Sequence, residues 1–170
     1  SRNIDRLSLL VQDLDAISKL ESGEVPVNFK KFDVVVLIKE VIDILSHKAE
    51  ESHISLDFKA KYQSPAWVYA DRDKIHQVLV NLIENSIKYG KKNGQTSVKI
   101  YELFDQFLVE ITDNGIGVDE KNLKRLFERF YRADKSRSRE VGGSGLGLAI
   151  VKHIVEAHQQ TVTVRSTEGM

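Results

Sequence analysis

The stretch Asn81-Leu82-Ile83-Glu84-Asn85-Ser86-Ile87-Lys88-Tyr89 decides the fold, because it places amide side chains in a helix that otherwise has a core pattern. The apolar residues that begin this pattern recur at the spacing of a buried helical face, at Ile75, Val78, Leu79 and Leu82. Asn81, Asn85 and Lys88 lie at i, i+4 and i+7, so they project from one side as a polar stripe. Burying an amide without a partner costs about 1–3 kcal/mol, so the stripe indicates a polar partner, of which a ligand is one kind. The alternative is that both Asn side chains bond to neighbouring backbone or lie at the solvent edge.

The composition of the 170-residue chain, which fits one domain with an appended element, excludes several classes of protein. Its 25 basic residues balance 25 acidic ones, which argues against nucleic acid as the main partner. Because there is no cysteine, disulfides and thiolate metal sites are excluded. The longest purely apolar run, Val34 to Ile38, is far shorter than the roughly 20 residues of a membrane-spanning helix. A chain that begins at Ser1, with neither a signal peptide nor a starting Met, is expected to be part of a longer one.

The first segment of the chain has the pattern of a coiled-coil helix. Residues 2–20 carry an apolar seam through Ile4, Leu7, Val11 and Leu14. Gly23 and Pro26 then end the helix. Because one helix cannot bury such a seam alone, the pattern predicts a partner helix.

From Asp33 onward the pattern predicts an α/β domain, in which helices and strands follow one another along the chain. Asp33 is a good N-cap for the first helix of this region, and Asp71 for the helix that carries the amides. We expect strands at 54–58, 67–70, 96–103, 107–112 and 161–165, and helices at about 34–51, 120–130 and 146–157.

A second polar element, Asp113-Asn114-Gly115-Ile116-Gly117, directly follows a predicted strand. Asp-Asn-Gly is ordinary turn chemistry, and a simple turn is one interpretation. A carboxylate at a strand end can also accept a hydrogen bond from an exocyclic amine such as that of adenine. Gly115 and Gly117 lack side chains and would let the backbone approach a flat ring.

A third element, the glycine-rich run 142–147, leads straight into an apolar helix. Backbone N–H groups at a helix N-terminus bind anions such as phosphate. No Lys-Ser or Lys-Thr follows, as a Walker loop requires, and Leu148 stands where the dinucleotide fingerprint has glycine. Upstream, the basic loop 133–141 follows the aromatic stretch 127–132 and suits a lid over a polyphosphate. A flexible hinge and a solvated charged loop are the alternatives for these two segments.

In this order the elements resemble the N, F and G boxes of the ATP-binding catalytic domain of sensor histidine kinases. The shared patterns are Asn-x-x-x-Asn-x-x-Lys-Tyr, Asp-x-Gly-x-Gly and Gly-x-Gly-Leu-Gly-Leu, and their combination is highly specific. The resemblance covers about Phe32 to Met170. It implies the Bergerat-type ATP-binding fold, an α/β (α+β) two-layer sandwich in which helices cover one face of a mixed sheet. The superfamily with this fold also includes DNA gyrase, mismatch-repair ATPases and a heat-shock chaperone.

The resemblance implies ATP and Mg²⁺ as cofactors and gives each matching residue a role. Asn85 would bind the Mg²⁺ through its amide oxygen. Asn81 and Lys88 would lie near the phosphates, with Tyr89 beside them, and Asp113 would accept from the adenine amine. The base pocket and the phosphate cradle would be formed by Gly115, Gly117, Gly143, Gly145, Leu146 and Gly147.

The catalytic residues that the resemblance implies are Asn81, Lys88 and Arg132. Arg132 would screen charge that develops on the γ-phosphoryl group. Asn81 stands where hydrolysing members of the superfamily carry a water-activating glutamate, so we expect ATP to be held for transfer to another nucleophile. Glu84 points about a quarter-turn away from that position.

Residues 1–22 resemble the second helix of the dimerisation and phosphoacceptor hairpin, with 23–32 as a linker and 33–170 as a catalytic domain that lacks its last strand. The first hairpin helix, which carries the phosphoacceptor histidine in the family, lies outside this sequence. The five histidines lack that histidine's context and are interpreted as structural or surface residues: His47, His53, His76, His153 and His158. His158-Gln159-Gln160 replaces the family's His-Gly-Gly, so this turn is expected to form without glycine.

The resemblance implies a cytoplasmic protein-histidine kinase domain, which transfers the γ-phosphoryl group to a histidine outside this sequence and then to a response-regulator aspartate. The expected partners are the phosphoacceptor helix of the same or a paired subunit and a response regulator, in a homodimeric parent anchored in the cell membrane. Two other hypotheses remain open. One is a non-catalytic nucleotide-binding and dimerisation module, and the other is an ATP-hydrolysing switch, which Asn81 disfavours.

Overall fold

A computed structural model of the chain describes residues 11–12, 14–15, 18–19, 26–60, 65–118, 120–123, 125–128 and 146–166. The strands in these residues are β1 (Lys30–Asp33), β2 (Ser55–Ala60), β3 (Trp67–Ala70), β4 (Gln95–Leu103) and β5 (Gln106–Asp113). The helices are α1 (Val34–Glu51), α2 (Arg72–Lys88), α3 (Glu120–Leu123) and α4 (Gly147–Ala157). The described residues between 11 and 19 are helical too, as predicted.

The described residues divide into two compact units. One contains residues 28–117, and the other contains the described residues before and after that range. All five strands lie in the first unit, together with α1 and α2. In the part of the chain that the structure describes, no helix combines the length and apolarity needed to cross a membrane.

Helix α1 begins at the predicted cap. Asp33 Oδ1 accepts hydrogen bonds from the backbone N–H of Val35 and of Ala66, each at 3.0 Å. The first bond satisfies one of the backbone N–H groups that have no partner within the helix in its first turn. The second bond connects the start of α1 to the residue before β3. The buried face of α1 has the predicted spacing, at Leu37, Ile38, Val41 and Leu45.

Helix α2 also begins at its predicted cap, and this cap is buried. Asp71 Oδ1 accepts from the N–H of Lys74 at 3.2 Å, and Asp71 Oδ2 accepts from the N–H of Asn28 at 2.9 Å. Burial opposes ionisation of this carboxyl, but the N–H groups of Asn28 and Lys74 and the Lys74 ammonium together hold the pKa of Asp71 below its ordinary value. The cap therefore joins α2 to the segment that precedes β1.

The strands of the first unit form two sheets. Strand β2 pairs parallel with β4, and β4 pairs antiparallel with β5, which gives a mixed sheet in the order β2-β4-β5. Strand β1 pairs antiparallel with β3 in a separate two-stranded sheet. Strand β1 was not predicted, because it starts with the exposed Lys30 and Lys31 and buries only Phe32.

The core lies between the mixed sheet and helices α1 and α2. The inward side chains of β4 are Thr96, Val98 and Ile100, which are buried and alternate with more exposed neighbours. Ile38 of α1 and Ile83 of α2 belong to the same core cluster as Val98 and Ile100. The predicted arrangement of a mixed sheet covered on one face by helices is confirmed.

Two predictions in the second unit are wrong. The helix expected at 120–130 is helical only at Glu120–Leu123 within the described residues, and 125–127 form a turn. The strand expected at 161–165 is absent, since residues 161–166 pair with no described strand. A segment forms a strand only when its backbone is hydrogen-bonded to a neighbouring strand. The turn after α4 forms without glycine, as expected, with Gln159 at φ 57°.

Candidate functional site

The polar stripe of α2 lies in the C-terminal half of the helix, as predicted. Asn81, Asn85 and Lys88 are half-buried, whereas Ile83 and Ile87 on the opposite side of the helix are buried. Among the described residues, none forms a hydrogen bond with the carboxamide of Asn85. The stripe therefore presents an amide and an ammonium group at the edge of the core, where a polar ligand can reach them.

Glu84 points away from this stripe. Its Oε1 lies 3.3 Å from Nζ of Lys48 on α1. An ion pair this exposed contributes about 0–1 kcal/mol to stability, but it shows that the Glu84 carboxylate faces α1. This agrees with the direction expected from the helical spacing.

The loop after β5 packs directly against the C-terminus of α2. A Cβ added to Gly115 would lie 2.6 Å from the carbonyl oxygen of Tyr89 and 3.2 Å from Cα of Gly90. The same Cβ would lie 3.0 Å from Oδ1 of Asp113. Glycine is therefore needed at position 115 for the two backbones to approach each other, and this approach brings Tyr89 and Asp113 together.

The Asp113 carboxylate is held by one donor on each oxygen. Gly115 N–H donates to Oδ1 at 2.9 Å, and Ser86 Oγ donates to Oδ2 at 3.1 Å. Each carboxylate oxygen can accept more than one hydrogen bond, so both retain an open acceptor position. Because Asp113 is exposed, this oriented anion is available to a donor from outside the protein.

Asn114 and Gly117 complete the geometry of this loop. Asn114 Oδ1 accepts from the N–H of Gln95 at 2.7 Å, and Asn114 N–H donates to the carbonyl oxygen of Gln95 at 3.3 Å. The Asn114 side chain thus extends the β4–β5 pairing by one residue beyond Asp113. Gly117 has φ 73°, in the left-handed region that favours glycine.

The remaining predicted site residues fall into two groups. Leu146 is buried and its carbonyl oxygen accepts from Ile150 N–H at 2.9 Å, so α4 begins at Gly147 as a regular helix. These residues belong to the other unit, and their place in one site with Asp113 stays a prediction. Gly143, Gly145 and Arg132 lie outside the described residues.

Sequence reasoning missed two hydroxyl residues of the site, Ser86 and Thr96. Ser86 Oγ lies 2.8 Å from Thr96 Oγ1, and both side chains are buried. Each had a signal in the sequence. Ser86 takes a core-side position beside Asn85, and Thr96 takes an inward position in the alternation that continues with Val98.

Residues 70–170 match the family described as histidine kinase-, DNA gyrase B-, and HSP90-like ATPase. The matched range contains α2, the end of β5 with Asp113, and the glycine-rich run. All three predicted motifs therefore fall within the family match.

Curated relatives match nearly the whole chain. It is 35% identical over 167 residues to the sensor histidine kinase WalK of Bacillus subtilis, and 36% identical over 167 residues to the sensor protein kinase WalK of Staphylococcus aureus. Both alignments cover 97% of this chain, but only 27% and 40% of the respective relatives. The chain thus spans less than half the length of the curated relatives it matches.

Solved structures share the fold. Full-length ShkA in complex with AMPPNP has a TM-score of 0.85 at 26% identity, over 97% of this chain and 34% of that one. The catalytic domain of the histidine kinase ThkA has a TM-score of 0.67 at 28% identity, over 76% of this chain and 80% of that one. ThkA in complex with the response regulator protein TrrA has a TM-score of 0.73 at 24% identity, over 94% of this chain and 42% of that one, and shows the fold alone. With the motif order, the mixed sheet and the match over residues 70–170 in agreement, the chain belongs to the histidine kinase-, DNA gyrase B- and HSP90-like ATPase family.

Proposed function

We propose that the chain is the ATP-binding catalytic domain of a two-component sensor histidine kinase, which transfers the γ-phosphoryl group of ATP to a histidine outside this sequence. The observation that carries the proposal is the Asp113 carboxylate, oriented by Gly115 and Ser86 beside the polar stripe of α2. The family match and the WalK relatives support the same function.

Asp113 is the residue that recognises the adenine base. An ionised carboxylate only accepts hydrogen bonds, so it favours a base edge that carries an amine donor over one that carries a carbonyl oxygen. Its two internal donors hold the carboxylate in place before a ligand arrives, which lowers the cost of ordering it on binding. Gly115 and Gly117 shape the backbone beside it.

The polar groups of the stripe suit both Mg²⁺ and phosphate. Mg²⁺ prefers oxygen ligands and keeps several waters and phosphate oxygens, so the carboxamide oxygen of Asn85 suffices as its protein ligand. Asn81, Lys88 and Tyr89 lie on the same helix end and would orient the phosphates. The bound ion would supply charge neutralisation on the phosphate oxygens.

The glycine-rich run would bind the triphosphate. Gly147 opens α4, and Leu146 precedes it, so backbone N–H groups at this helix start are suited to an anion. We assign Gly143 and Gly145 to the same cradle, and Arg132 to charge screening on the γ-phosphoryl group, on the motif alone.

Transfer fits the α2 stripe better than hydrolysis does. Asn81 offers an amide where a hydrolytic site needs a carboxylate that activates water. The nearest carboxylate along the helix, Glu84, is directed to Lys48 on α1. Without a base at the stripe, the nucleophile has to be brought by another group, and a histidine of a phosphoacceptor helix fills that role.

The proposed partners follow from this chemistry. The phosphoacceptor helix would come from the same or a paired subunit of a homodimeric, membrane-anchored parent. A response regulator would then take the phosphoryl group on an aspartate. ThkA, whose catalytic domain is 28% identical to this chain, has been solved in complex with a response regulator, and this supports the same partner class.

A second candidate is a non-catalytic nucleotide-binding and dimerisation module. One observation favours it. Val11 and Leu14 are helical and exposed, at 58% and 36% of their full accessibility, and they belong to the predicted coiled-coil seam. Such a seam could dimerise the chain without phosphoryl transfer.

A transfer assay separates these functions. The chain is incubated with Mg²⁺ and ATP labelled on the γ-phosphate, alone and with a separately supplied phosphoacceptor hairpin from a WalK relative. We expect base-stable label on the hairpin histidine and none on the chain's own five histidines. Asp113→Asn should abolish the transfer, whereas Asp105→Asn, the same change at the exposed β4–β5 turn, should preserve it.

Each other outcome has a definite meaning. Stable label on the chain itself would contradict the assignment of its histidines. Nucleotide binding without any transfer would favour the module. Steady release of phosphate that requires Mg²⁺ would show a hydrolase.

A further inference from the structure

The register of β4 and β5 places a hydroxyl opposite the Asp113 carboxylate. Thr96 and Asp113 are directly paired across the two antiparallel strands, on the face of the sheet that α2 covers. Ser86 extends from α2 toward both, with its Oγ 2.8 Å from Thr96 Oγ1 and 3.1 Å from Asp113 Oδ2. The three side chains therefore form one chain of hydrogen bonds that begins in the core and ends at the surface.

The direction of the protons in this chain is fixed. A carboxylate only accepts, so the Ser86 hydroxyl proton goes to Asp113 Oδ2. Ser86 has one proton, and the bond between the two hydroxyls must therefore use the proton of Thr96. Thr96 donates to Ser86, and Ser86 donates to Asp113.

Burial makes this order persistent. Thr96 is 0% exposed and Ser86 is 4% exposed, so water does not compete for either hydroxyl. A serine inside a helix can otherwise turn its hydroxyl back to a carbonyl oxygen of the preceding turn. The bond from Thr96 opposes that rotation and keeps the Ser86 proton on the carboxylate.

We propose that Ser86 and Thr96 are positioning residues that set the nucleotide-base specificity of the site. This inference rests on the proposed function, since it concerns how Asp113 meets a base. With Ser86 on Oδ2 and Gly115 N–H on Oδ1, the carboxylate plane cannot rotate, and its open acceptor positions keep one direction. A base with an exocyclic amine at that point binds, and a base without it leaves a fixed, desolvated acceptor unpaired.

The test compares two ligands by calorimetric titration of the full chain. One ligand is ATP, and the other is the triphosphate of unsubstituted purine riboside, which lacks the exocyclic amine but keeps the ring, ribose and phosphates. The quantity of interest is the ratio of the two affinities. A general packing defect lowers both affinities together, whereas loss of positioning lowers the affinity for ATP alone.

We expect Ser86→Ala to lower the affinity for ATP about tenfold and to leave the affinity for the purine analogue within about twofold. Thr96→Val, which removes the hydroxyl but keeps the shape, should lower the ratio of the ATP affinity to the analogue affinity about threefold. Thr96→Ser restores the hydroxyl and should recover the wild-type ratio. Thr112→Val makes the matched change on the exposed face of β5, where the hydroxyl meets Glu110, and should leave both affinities unchanged.

Three results would overturn the inference. An unchanged ratio in both Ser86→Ala and Thr96→Val would show that Asp113 recognises the base without help from these two hydroxyls. An equal loss for both ligands in a variant with wild-type thermal unfolding would show a packing role. Failure of the wild-type chain to bind either nucleotide would remove the proposed function itself, whereas the first two results leave that function standing.

Discussion

At the scale of single residues, Gly115 is a position where the site leaves no room for a side chain. A Cβ atom added at this position would lie 2.6 Å from the carbonyl oxygen of Tyr89. A backbone atom cannot move aside as the end of a flexible side chain can. We expect Gly115→Ala to separate the β5 loop from α2, to lower stability by about 1–3 kcal/mol and to weaken ATP binding at least tenfold. Urea unfolding and calorimetry measure the two effects. The neighbouring exposed Ile116→Ala is the control and should change neither, and wild-type binding by Gly115→Ala would contradict this account.

The residues that sequence analysis identified are those that break a local pattern. Asn81 and Asn85 interrupt an apolar helix, and Asp113 ends a strand beside two glycines. In the structure Gly115 also admits the backbone of Tyr89, a role that the sequence did not predict. Ser86 and Thr96 escaped notice because small hydroxyl residues are common at the edges of cores, and only the packing of α2 against β4 shows that they meet.

At the scale of elements, the buried cap of α2 gives the fold a defined pH dependence. The folded-state pKa of Asp71 lies below its ordinary value of 3.8, so the ionised carboxylate stabilises the fold. This contribution is complete above that ordinary value and is lost as pH falls through the folded-state value. We expect the wild-type unfolding free energy to fall more between about pH 7 and about pH 3 than that of Asp71→Asn, which keeps a cap acceptor without the charge. Parallel pH profiles in urea unfolding would contradict the prediction.

The turn between β4 and β5 carries a residue in an unfavourable conformation. Phe104 opens the two-residue turn with φ 53°, and its side chain is fully exposed. Because a left-handed φ is costly for a bulky residue such as Phe and not for glycine, Phe104→Gly should stabilise the chain by about 0.5–1 kcal/mol without altering nucleotide binding. Asp105→Gly, at the next position, relieves no left-handed φ and should destabilise the chain. Thermal unfolding checks both, and a loss of stability in Phe104→Gly would contradict the assignment.

Elements with strong periodicity or a good cap were predictable, and those that depend on distant partners were not. Helices α1 and α2 start at the predicted Asp33 and Asp71 because each cap is a local interaction. Strand β1 is short, begins with two lysines and exists because β3 pairs with it. The segment 161–165 has the alternation of a strand, but alternation alone does not supply a pairing partner.

At the scale of the whole molecule, the order of motifs along the chain carried more information than any one of them. Asp-Asn-Gly alone is a turn and a glycine run alone is a hinge, but both occur downstream of an amide-bearing helix in the order of one ATPase family. The fold and the α2–β5 half of the site follow from that order. The roles of Arg132, Gly143 and Gly145 rest on the motif, as do those of Leu146 and Gly147.

The most direct test of this account is a calorimetric titration of the chain with a non-hydrolysable ATP analogue, with and without Mg²⁺, repeated on Asp113→Ala and Asn85→Ala. We expect the wild-type chain to bind the analogue in the micromolar range, Asp113→Ala not to bind it, and Asn85→Ala to bind it without dependence on Mg²⁺. Circular dichroism of each variant confirms that it is folded. A folded wild-type chain that fails to bind the analogue, or an Asp113→Ala variant that binds it as tightly as the wild type, would contradict the account.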